Sequence, residues 1–565
     1  MSDELVSAAS GRARIKFLER NGTTNVAGAA VFALLVVLLG VRLTRGVDFS
    51  DESYYALYID DWLKGSIATS TLLSIQQTAA LIVYPASLLY TLLTGSSDGL
   101  FLFLRFLFLI GAAASASFWI IFLQRLGHRW MAWGGGILVL AFVPFGLPAP
   151  SYNTIGQQAL TIALASFGCA ALVEHRRQQF CWLAISACAW AVTTVAYPPL
   201  IAPCGCLCLL GLFHRDGSFP RPCLYAILVG SAICIAWFAV ALSLSPNRFH
   251  DSIVFSLAIH DHDVAVRKLK FAIDRFQGNI AFSILFVIAI FNGLTSGLFP
   301  RFSRILFAAV IVGLFAIAPA LFVRSHDAIT LAALMGLGLL SGLRAGASRT
   351  ERVIAYVYLT SLIAALTTCA AAFNSVFNFC IGGVPAAALA AVGRPAPKSS
   401  GLVGLLPLSA AILAVLPTSL FFYYGELPEM TASPRREIMA NGFFAGLALN
   451  PGDTALIRLV QNSINPLLKP NQTVAIGGRL PGLLLAMPAR VSMPHTFPLP
   501  PILTRKLLEK TEPFYRKPEH QPSLVLVYRD NYVATENPIP HFDERYAVEA
   551  NFKAPLGELG VFRRR

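Results

Sequence analysis

Charge is scarce in this chain. Only 13% of its 565 residues are Asp, Glu, Lys or Arg, against 56% hydrophobic residues, and mean hydropathy is +0.63. That is too little charge and too much apolar surface for a soluble core, so a soluble enzyme is excluded and a polytopic α-helical membrane protein is expected. A basic stripe is also missing. The net charge of +14 comes largely from short loops between apolar runs and from the C-terminal part, a pattern that signals topology and gives no reason to expect a nucleic-acid partner. Cysteine is absent beyond Cys380. All ten cysteines lie from Cys169 onward in or beside apolar runs, so no disulfide framework is implied. The nearest group, Cys204-Gly-Cys206-Leu-Cys208, has no His or carboxylate beside it and reads as small packing residues rather than a metal site. The polar C-terminal part lacks a phosphate loop, a zinc spacing and a nucleophile elbow, which argues for an accessory role there. No internal repeat is visible.

What is present is a succession of long apolar runs. Arg12, Arg14, Lys16 and Arg20 precede a run over 26–43, too long for a signal core and without a persuasive cleavage site, so an anchor with its basic 1–25 segment inside is expected. Further runs near 100–123, 131–148, 155–173, 180–197, 199–213, 223–244, 280–298, 304–323, 328–343, 353–372, 376–392 and 402–424 bring the expectation to about 13 spans within 26–424. The run over 79–94 reaches only about 24 Å, against a hydrocarbon core of about 30 Å. If it crossed, the six basic connections at 124–130, 174–179, 214–221, 300–304, 344–352 and 394–398 would all fall opposite the basic N-terminus, so it is expected to lie along the interface.

With that topology one face collects the polar clusters. The first outer loop, 47–99, opens with Asp48, Asp51 and Glu52 and continues with Tyr54, Tyr55, Tyr58 and Trp62, reading as an interfacial helix with aromatics at headgroup level. Next come Tyr152 and Asn153, the long stretch 245–279 with His260, His262, Arg267 and Lys268, then Arg324, His326 and Asp327, and finally Asn374 and Asn378. Beyond Gly425 the hydropathy collapses, and 425–565 is expected to form a small α/β domain on the same outer face. Its strand-like runs are 473–476, 483–485 and 524–528, with helix-like pieces near 435–440 and 453–462, Asp453 serving as N-cap.

Ser50-Asp51-Glu52-Ser53-Tyr54-Tyr55 directly follows the first span. A carboxylate costs about 2.5–3.5 kcal/mol at the bilayer centre, so this pair belongs at the water boundary, where it accepts protons. Ser50 or Asp51 also fits a helix cap, and capping and catalysis are compatible. The pattern Asp51-Glu52-x-x-Tyr55 in a first outer loop, followed by a short juxtamembrane run, many spans and an outer C-terminal domain, resembles the type-C glycosyltransferase superfamily, with a layout similar to lipid A aminoarabinose transferases and protein O-mannosyltransferases. The resemblance implies an integral membrane enzyme, in a bacterial inner membrane, that moves a sugar from a polyprenyl-phosphate-linked donor to an extracytoplasmic cell-envelope glycan or lipid. Two departures stand out. The Glu-Lys-Pro-Pro element of the aminoarabinose branch is replaced by Gln76-Gln-Thr-Ala-Ala80, and a later acid of that branch by Ser151-Tyr-Asn153.

A lipid phosphate is already a good leaving group, so the task left to protein is to activate and aim the acceptor hydroxyl. Asp51 is the expected base, with Glu52 beside it, in a direct displacement that inverts the anomeric centre. Tyr55, Tyr152 and Asn153 are expected to contact the sugar, and Arg324 first, with His326, Arg267 or Lys268, to stabilise the leaving phosphate, while His260, His262 and Asp327 are further substrate-binding candidates. No cofactor is implied with certainty; a divalent ion on His260-Asp-His-Asp263 is the alternative. Two other classes remain open: a transporter or flippase of lipid-linked saccharide, for which the spans carry few ionisable residues, and a non-catalytic envelope assembly protein.

Overall fold

The structure is a computed structural model. It describes residues 25–127, 129–213, 219–259, 264–317, 321–371, 379–393, 401–421, 436–495, 501–530, 539–555 and 557–565.

Helices dominate up to residue 421. In chain order they are α1 (Asn25–Leu43), α2 (Asp51–Lys64), α3 (Gln77–Thr94), α4 (Leu100–Arg125), α5 (Arg129–Ala141), α6 (Tyr152–Leu172), α7 (Arg176–Ala196), α8 (Ile201–Phe213), α9 (Pro222–Leu244), α10 (Pro246–Ile259), α11 (Val264–Gly278), α12 (Ile280–Thr295), α13 (Pro300–Ile317), α14 (Leu321–Leu334), α15 (Arg349–Ala371), α16 (Gly383–Val392) and α17 (Leu406–Phe421). Their outward surfaces are apolar, with Leu93, Ile110, Phe238 and Ile284 all exposed. Water does not tolerate so continuous a greasy belt, and lipid does.

Among the described residues nine helices are long and apolar enough to cross a membrane, ten if the pair Lys268–Gly278 and Ile280–Thr295, bent by 107°, counts as one span. The expected count of about 13 is therefore not reached by length alone. The runs expected to span near 131–148, 199–213, 376–392 and 402–424 form shorter apolar helices, Trp130–Ala141, Pro198–Phe213, Gly383–Val392 and Leu406–Phe421. The first of these ends early because Pro144 and Gly146 turn the chain, with Phe145 at a positive φ of 57°.

By composition α3 also qualifies as a span. Its two ends are tied to the C-terminal domain. Just before it, the Leu73 amide donates to the Pro494 carbonyl (2.9 Å), and just after it the Gly99 amide donates to the Gly442 carbonyl (3.0 Å) while Asp98 accepts from the Gly442 amide. Both ends thus hold the same C-terminal domain.

The C-terminal domain is a small α/β unit. A two-stranded piece pairs β1 (Glu437–Ile438) with β2 (Ala448–Leu449), and Ala448 bridges to Arg45 at the end of α1. The main sheet has the order β4-β3-β5-β7-β6. Its core strands β3 (Thr473–Gly477) and β5 (Leu524–Asp530) are parallel, with β4 (Arg490–Val491) parallel to β3, and β6 (Tyr546–Ala554) and β7 (Gly557–Arg564) complete the antiparallel side. Two expected strands fall where anticipated. The run 483–485 instead lies in a 3-10 helix, Pro481–Ala486, and the piece near 435–440 carries β1 rather than a helix. The helix α18 (Pro451–Leu459) is capped by Asn450, whose side chain accepts from the Asp453 amide at 2.8 Å, so Asp453 is not the cap.

One further expectation changes. The aromatics of α2 do not meet lipid headgroups, because Tyr54, Tyr55, Tyr58 and Trp62 are buried in one core with Leu483, Leu485, Met487 and Met493 of the C-terminal domain. Lys64 ties the last turn down by donating to Asp60 and to the Met487 carbonyl, while Asp61 accepts from the Val491 amide at 3.1 Å. The roof over the first loop is protein.

Candidate active site

Three acids crowd the start of α2, and their surroundings differ. Asp48 accepts from the Ser50 amide (2.9 Å) and hydroxyl (2.6 Å) through one oxygen and from the Glu52 amide (3.0 Å) through the other. It therefore caps the helix, a role expected of Ser50 or Asp51; Ser50 makes no capping bond. Glu52 returns an oxygen to the Asp48 amide at 3.2 Å and meets the guanidinium of Arg105 through two bonds, Nε–Oε1 at 2.6 Å and Nη2–Oε2 at 2.7 Å. The other donors of Arg105 close on the carbonyls of Leu43, Arg45 and Gly46. Glu52 is thus half of a buried, fully bonded ion pair that fastens the α1–α2 link to α4.

Asp51 is different. Among the described residues its carboxylate has no hydrogen bond or ion pair, and it keeps partial exposure. Burial pushes its carboxyl up to about 8, and the Asp48 charge adds to the push. Asp48 is itself raised to about 6 by burial, against the pull of its Ser50 and Glu52 bonds. The physical outcome is a carboxyl with unused lone pairs and enhanced basicity at the helix start.

One turn beyond Asp51, Tyr55 places its ring 6.0 Å from that of Tyr152, which in turn stacks on Tyr197 at 5.0 Å. Tyr152 and Asn153 stand at the start of α6 because Ser151 and Thr154 form a capping box there. The Asn153 side-chain oxygen accepts from the Cys380 thiol at 3.5 Å. Lys268, buried on α11, lies near enough to Cys380 to act on it electrostatically. Tyr55, Tyr152 and Tyr197 thus meet from α2, α6 and the end of α7, far apart in sequence, with Asp51 one turn before Tyr55. A narrow cleft is lined by Glu52, Tyr55, Ala56, Ile59, Phe101, Leu104, Ala149 and Pro150.

Other expected residues lie elsewhere. The Nε2 of His326 accepts from the Phe145 amide at 3.2 Å, and its ring packs on Phe142 and Phe145, so it buttresses the 142–147 turn. Asp327 pairs with Arg275 at 2.5 Å. His260 and His262 lie outside the described residues, as do Asn374 and Asn378, and the side chains of Arg267 and Arg324 lie outside the described part of α11 and α14. Among the described residues no group of three or more His, Cys, Asp or Glu could hold a metal ion; the 260–263 stretch is not among them. Sequence reasoning missed Arg105, although a lone charge within the apolar run 100–123 is itself a signal, since such a residue demands a partner. Tyr197 and Arg275 carried no comparable mark.

No family model matches the sequence, and no curated protein sequence matches it. Among solved structures, the chain is similar to ArnT from Cupriavidus metallidurans bound to undecaprenyl phosphate, at 12% identity and a TM-score of 0.44, covering 94% of this chain and 97% of that one. It is also similar to the apo oligosaccharyltransferase of Archaeoglobus fulgidus, at 13% identity and a TM-score of 0.47, covering 89% of this chain and 69% of that one.

Proposed function

We propose that this protein transfers a sugar from a polyprenyl-phosphate-linked donor to an extracytoplasmic acceptor of the cell envelope, a glycan or a lipid, with inversion and with Asp51 as general base. One observation carries the reading: of three acids at the start of α2, two are bonded into the scaffold and Asp51 alone keeps a carboxylate unbonded among the described residues. A scaffold needs no third acid there, and its ionisation in this place is disfavoured. A base needs that combination: lone pairs free for an incoming hydroxyl, and a proton affinity high enough to take its hydrogen.

In this reading the acceptor oxygen attacks the anomeric carbon as Asp51 removes its proton. The bond to the carrier phosphate breaks, and the phosphate leaves with the electron pair. Tyr55, Tyr152 and Asn153 bracket the sugar. Lys268, with Arg267 on the same helix and Arg324 on α14, offers positive charge to the departing phosphate. Glu52 is assigned to positioning, holding the α2 start against Arg105, and His326 and Asp327 to supporting the neighbouring turn and α11. The active face and the C-terminal domain are placed outside, opposite the basic loops, in a bacterial inner membrane.

The test is a transfer assay with the purified chain in lipid and a panel of radiolabelled polyprenyl-phosphate sugars. Labelled product from the wild type, absent with Asp51→Asn, is the expected result. Relocation of donor across the bilayer without product points instead to a transporter, and neither outcome to a non-catalytic assembly protein.

A further inference from the structure

The far end of α2 holds a charge imbalance that the proposed chemistry does not use. Asp61 is fully buried there. Its Oδ1 accepts from the Val491 amide at 3.1 Å and faces Arg490 Nε of β4 at 3.6 Å. Arg248, on α10, is 6% exposed and lies close enough to Tyr58, Asp61 and Arg490 to interact with each electrostatically. The neighbouring acid, Asp60, is already paired with Lys64. Among the described residues two guanidinium groups thus share one buried carboxylate, and a positive charge is left unmatched.

Their donors are only partly used. Arg248 Nη2 donates to the Leu72 carbonyl at 2.9 Å and to Gln77 Oε1 at 3.0 Å. Among the described residues its Nε and Nη1 are buried with no hydrogen-bond partner, and so is the Nε of Arg490. A purely structural cluster pairs such groups, because a buried charged donor left unmade is costly. Gly65 contributes as well. A Cβ there would stand 2.4 Å from Arg490 Cζ and 2.6 Å from its Nε, so the bare backbone at the end of α2 is what lets this guanidinium lie across it towards Asp61. Arg490 keeps 31% of its side chain exposed, which leaves this end of the cluster open to solvent.

Position along α2 separates the cluster from the base. Asp51, Tyr54, Tyr58 and Asp61 share one side of the helix, and a rise of about 1.5 Å per residue puts Asp61 about 15 Å further along the axis than Asp51. In a displacement the base stands about 3 Å from the acceptor oxygen, and that oxygen about 3–3.5 Å from the anomeric carbon. The carrier phosphate, bonded to that carbon, lies well short of Asp61. A glycan or glycolipid acceptor is long enough to reach it.

We propose that Arg248 and Arg490 form a binding site for a phosphate-type anion carried by the acceptor, about 15 Å along α2 from the hydroxyl that reacts at Asp51. Guanidinium donors suit the oxygens of such a group through paired, charge-assisted bonds. The assignment to the acceptor rests on the sugar-transfer function proposed above; the anion site itself does not.

The experiment measures thermal unfolding of the full chain in detergent, with inorganic phosphate or with sodium chloride at equal ionic strength. Each protein is compared with itself, so a variant that starts less stable still gives a result. Phosphate is expected to raise the unfolding temperature of the wild type, and most of that rise is expected to be lost in Arg248→Gln, in Arg490→Gln and in Gly65→Ala, which moves the Arg490 guanidinium without removing charge. An equal rise in wild type and variants is the general effect of phosphate on burial and overturns the site, as does no rise at all. A second arm repeats the titration with undecaprenyl phosphate added to saturation. An undiminished rise supports a site separate from the carrier's, and a lost one overturns the assignment to the acceptor. In the transfer assay Arg248→Gln and Arg490→Gln are each expected to raise the apparent KM for the acceptor by about 10–100-fold, the range of one charge-assisted hydrogen bond, with that for the donor unchanged; a raised donor KM instead overturns the assignment. Absence of transfer by the wild type defeats the proposed function alone, since the phosphate titration still decides whether the anion site exists.

Discussion

Arg105 reaches across from α4 and grips Glu52 with two parallel bonds, 2.6 and 2.7 Å long, at a place where both side chains are 2% exposed. Neither charge has water to fall back on if its partner is removed. Glu52→Gln and Arg105→Ala are each expected to destabilise the protein by about 3–5 kcal/mol, read as a lower unfolding temperature in detergent. Because Glu52 is assigned to positioning, the membrane-extracted Glu52→Gln protein that remains folded is expected to retain transfer, whereas Asp51→Asn is not. Equal loss in both variants at equal folded fraction would remove the distinction between the two acids.

Asp51→Asn keeps the shape of the side chain and removes its basicity. The expected loss of transfer is about 10²–10⁴-fold, the usual worth of general base catalysis, with no fall in stability.

The Asp51 carboxyl also fixes a pH dependence. Its folded value, about 8, stands above the ordinary 3.8, so between those limits the native state holds a proton that the unfolded chain has lost. Stability is therefore greatest below the unfolded value and declines as pH rises towards the folded one. Thermal unfolding across this window is expected to show that decline in the wild type and a shallower one in Asp51→Asn, the remainder coming from Asp48 and Asp60, both raised to about 6 chiefly by burial. Transfer runs the other way and rises with pH as the base loses its proton. A rate that is flat from pH 5 to pH 9, as a scale set by these values, would exclude Asp51 as the titrating base.

Gly482 sits where the C-terminal domain touches α2. A Cβ there would stand 2.4 Å from the Ser53 hydroxyl oxygen and 2.9 Å from the Phe49 Cα, and its amide donates to the Phe49 carbonyl at 2.7 Å. Gly482→Ala is expected to cost about 1–3 kcal/mol through overpacking and to lower transfer by displacing the segment that carries Asp48 and Asp51. Limited proteolysis of the C-terminal domain, compared with wild type, reads the loosening directly.

Lys268 supplies a buried positive charge that acts on Cys380, whose thiol donates to Asn153. Lys268→Gln is expected to raise the apparent KM for the phosphate-linked donor by about 10–100-fold, the range of one charge-assisted hydrogen bond, with the unfolding temperature little changed. An unaltered KM would detach Lys268 from the phosphate.

Much of this was legible in the residues because the signals are local. An apolar run of spanning length requires a helix whatever its neighbours, and the breakdown of hydropathy past Gly425 marks a domain wherever it docks. The acidic motif after α1 was visible for the same reason. Its division of labour was not, since Asp48, Asp51 and Glu52 differ by what reaches them from outside the motif. Arg105 lies 53 residues along from Glu52. The ends of α3 are likewise anchored by Pro494 and Gly442, contacts that no run length expresses.

The sequence by itself determined that this is a membrane protein of many helices with a small polar domain at the end, and that acids gather at the boundary after the first span. Those properties depend on composition and on spacing along the chain, which folding cannot alter. Only the tertiary structure decided which acid keeps a carboxylate unbonded among the described residues, and that protein rather than lipid roofs α2. Each of these depends on desolvation and hydrogen bonding between segments brought together from opposite ends of the chain, and such energies exist only once the segments meet.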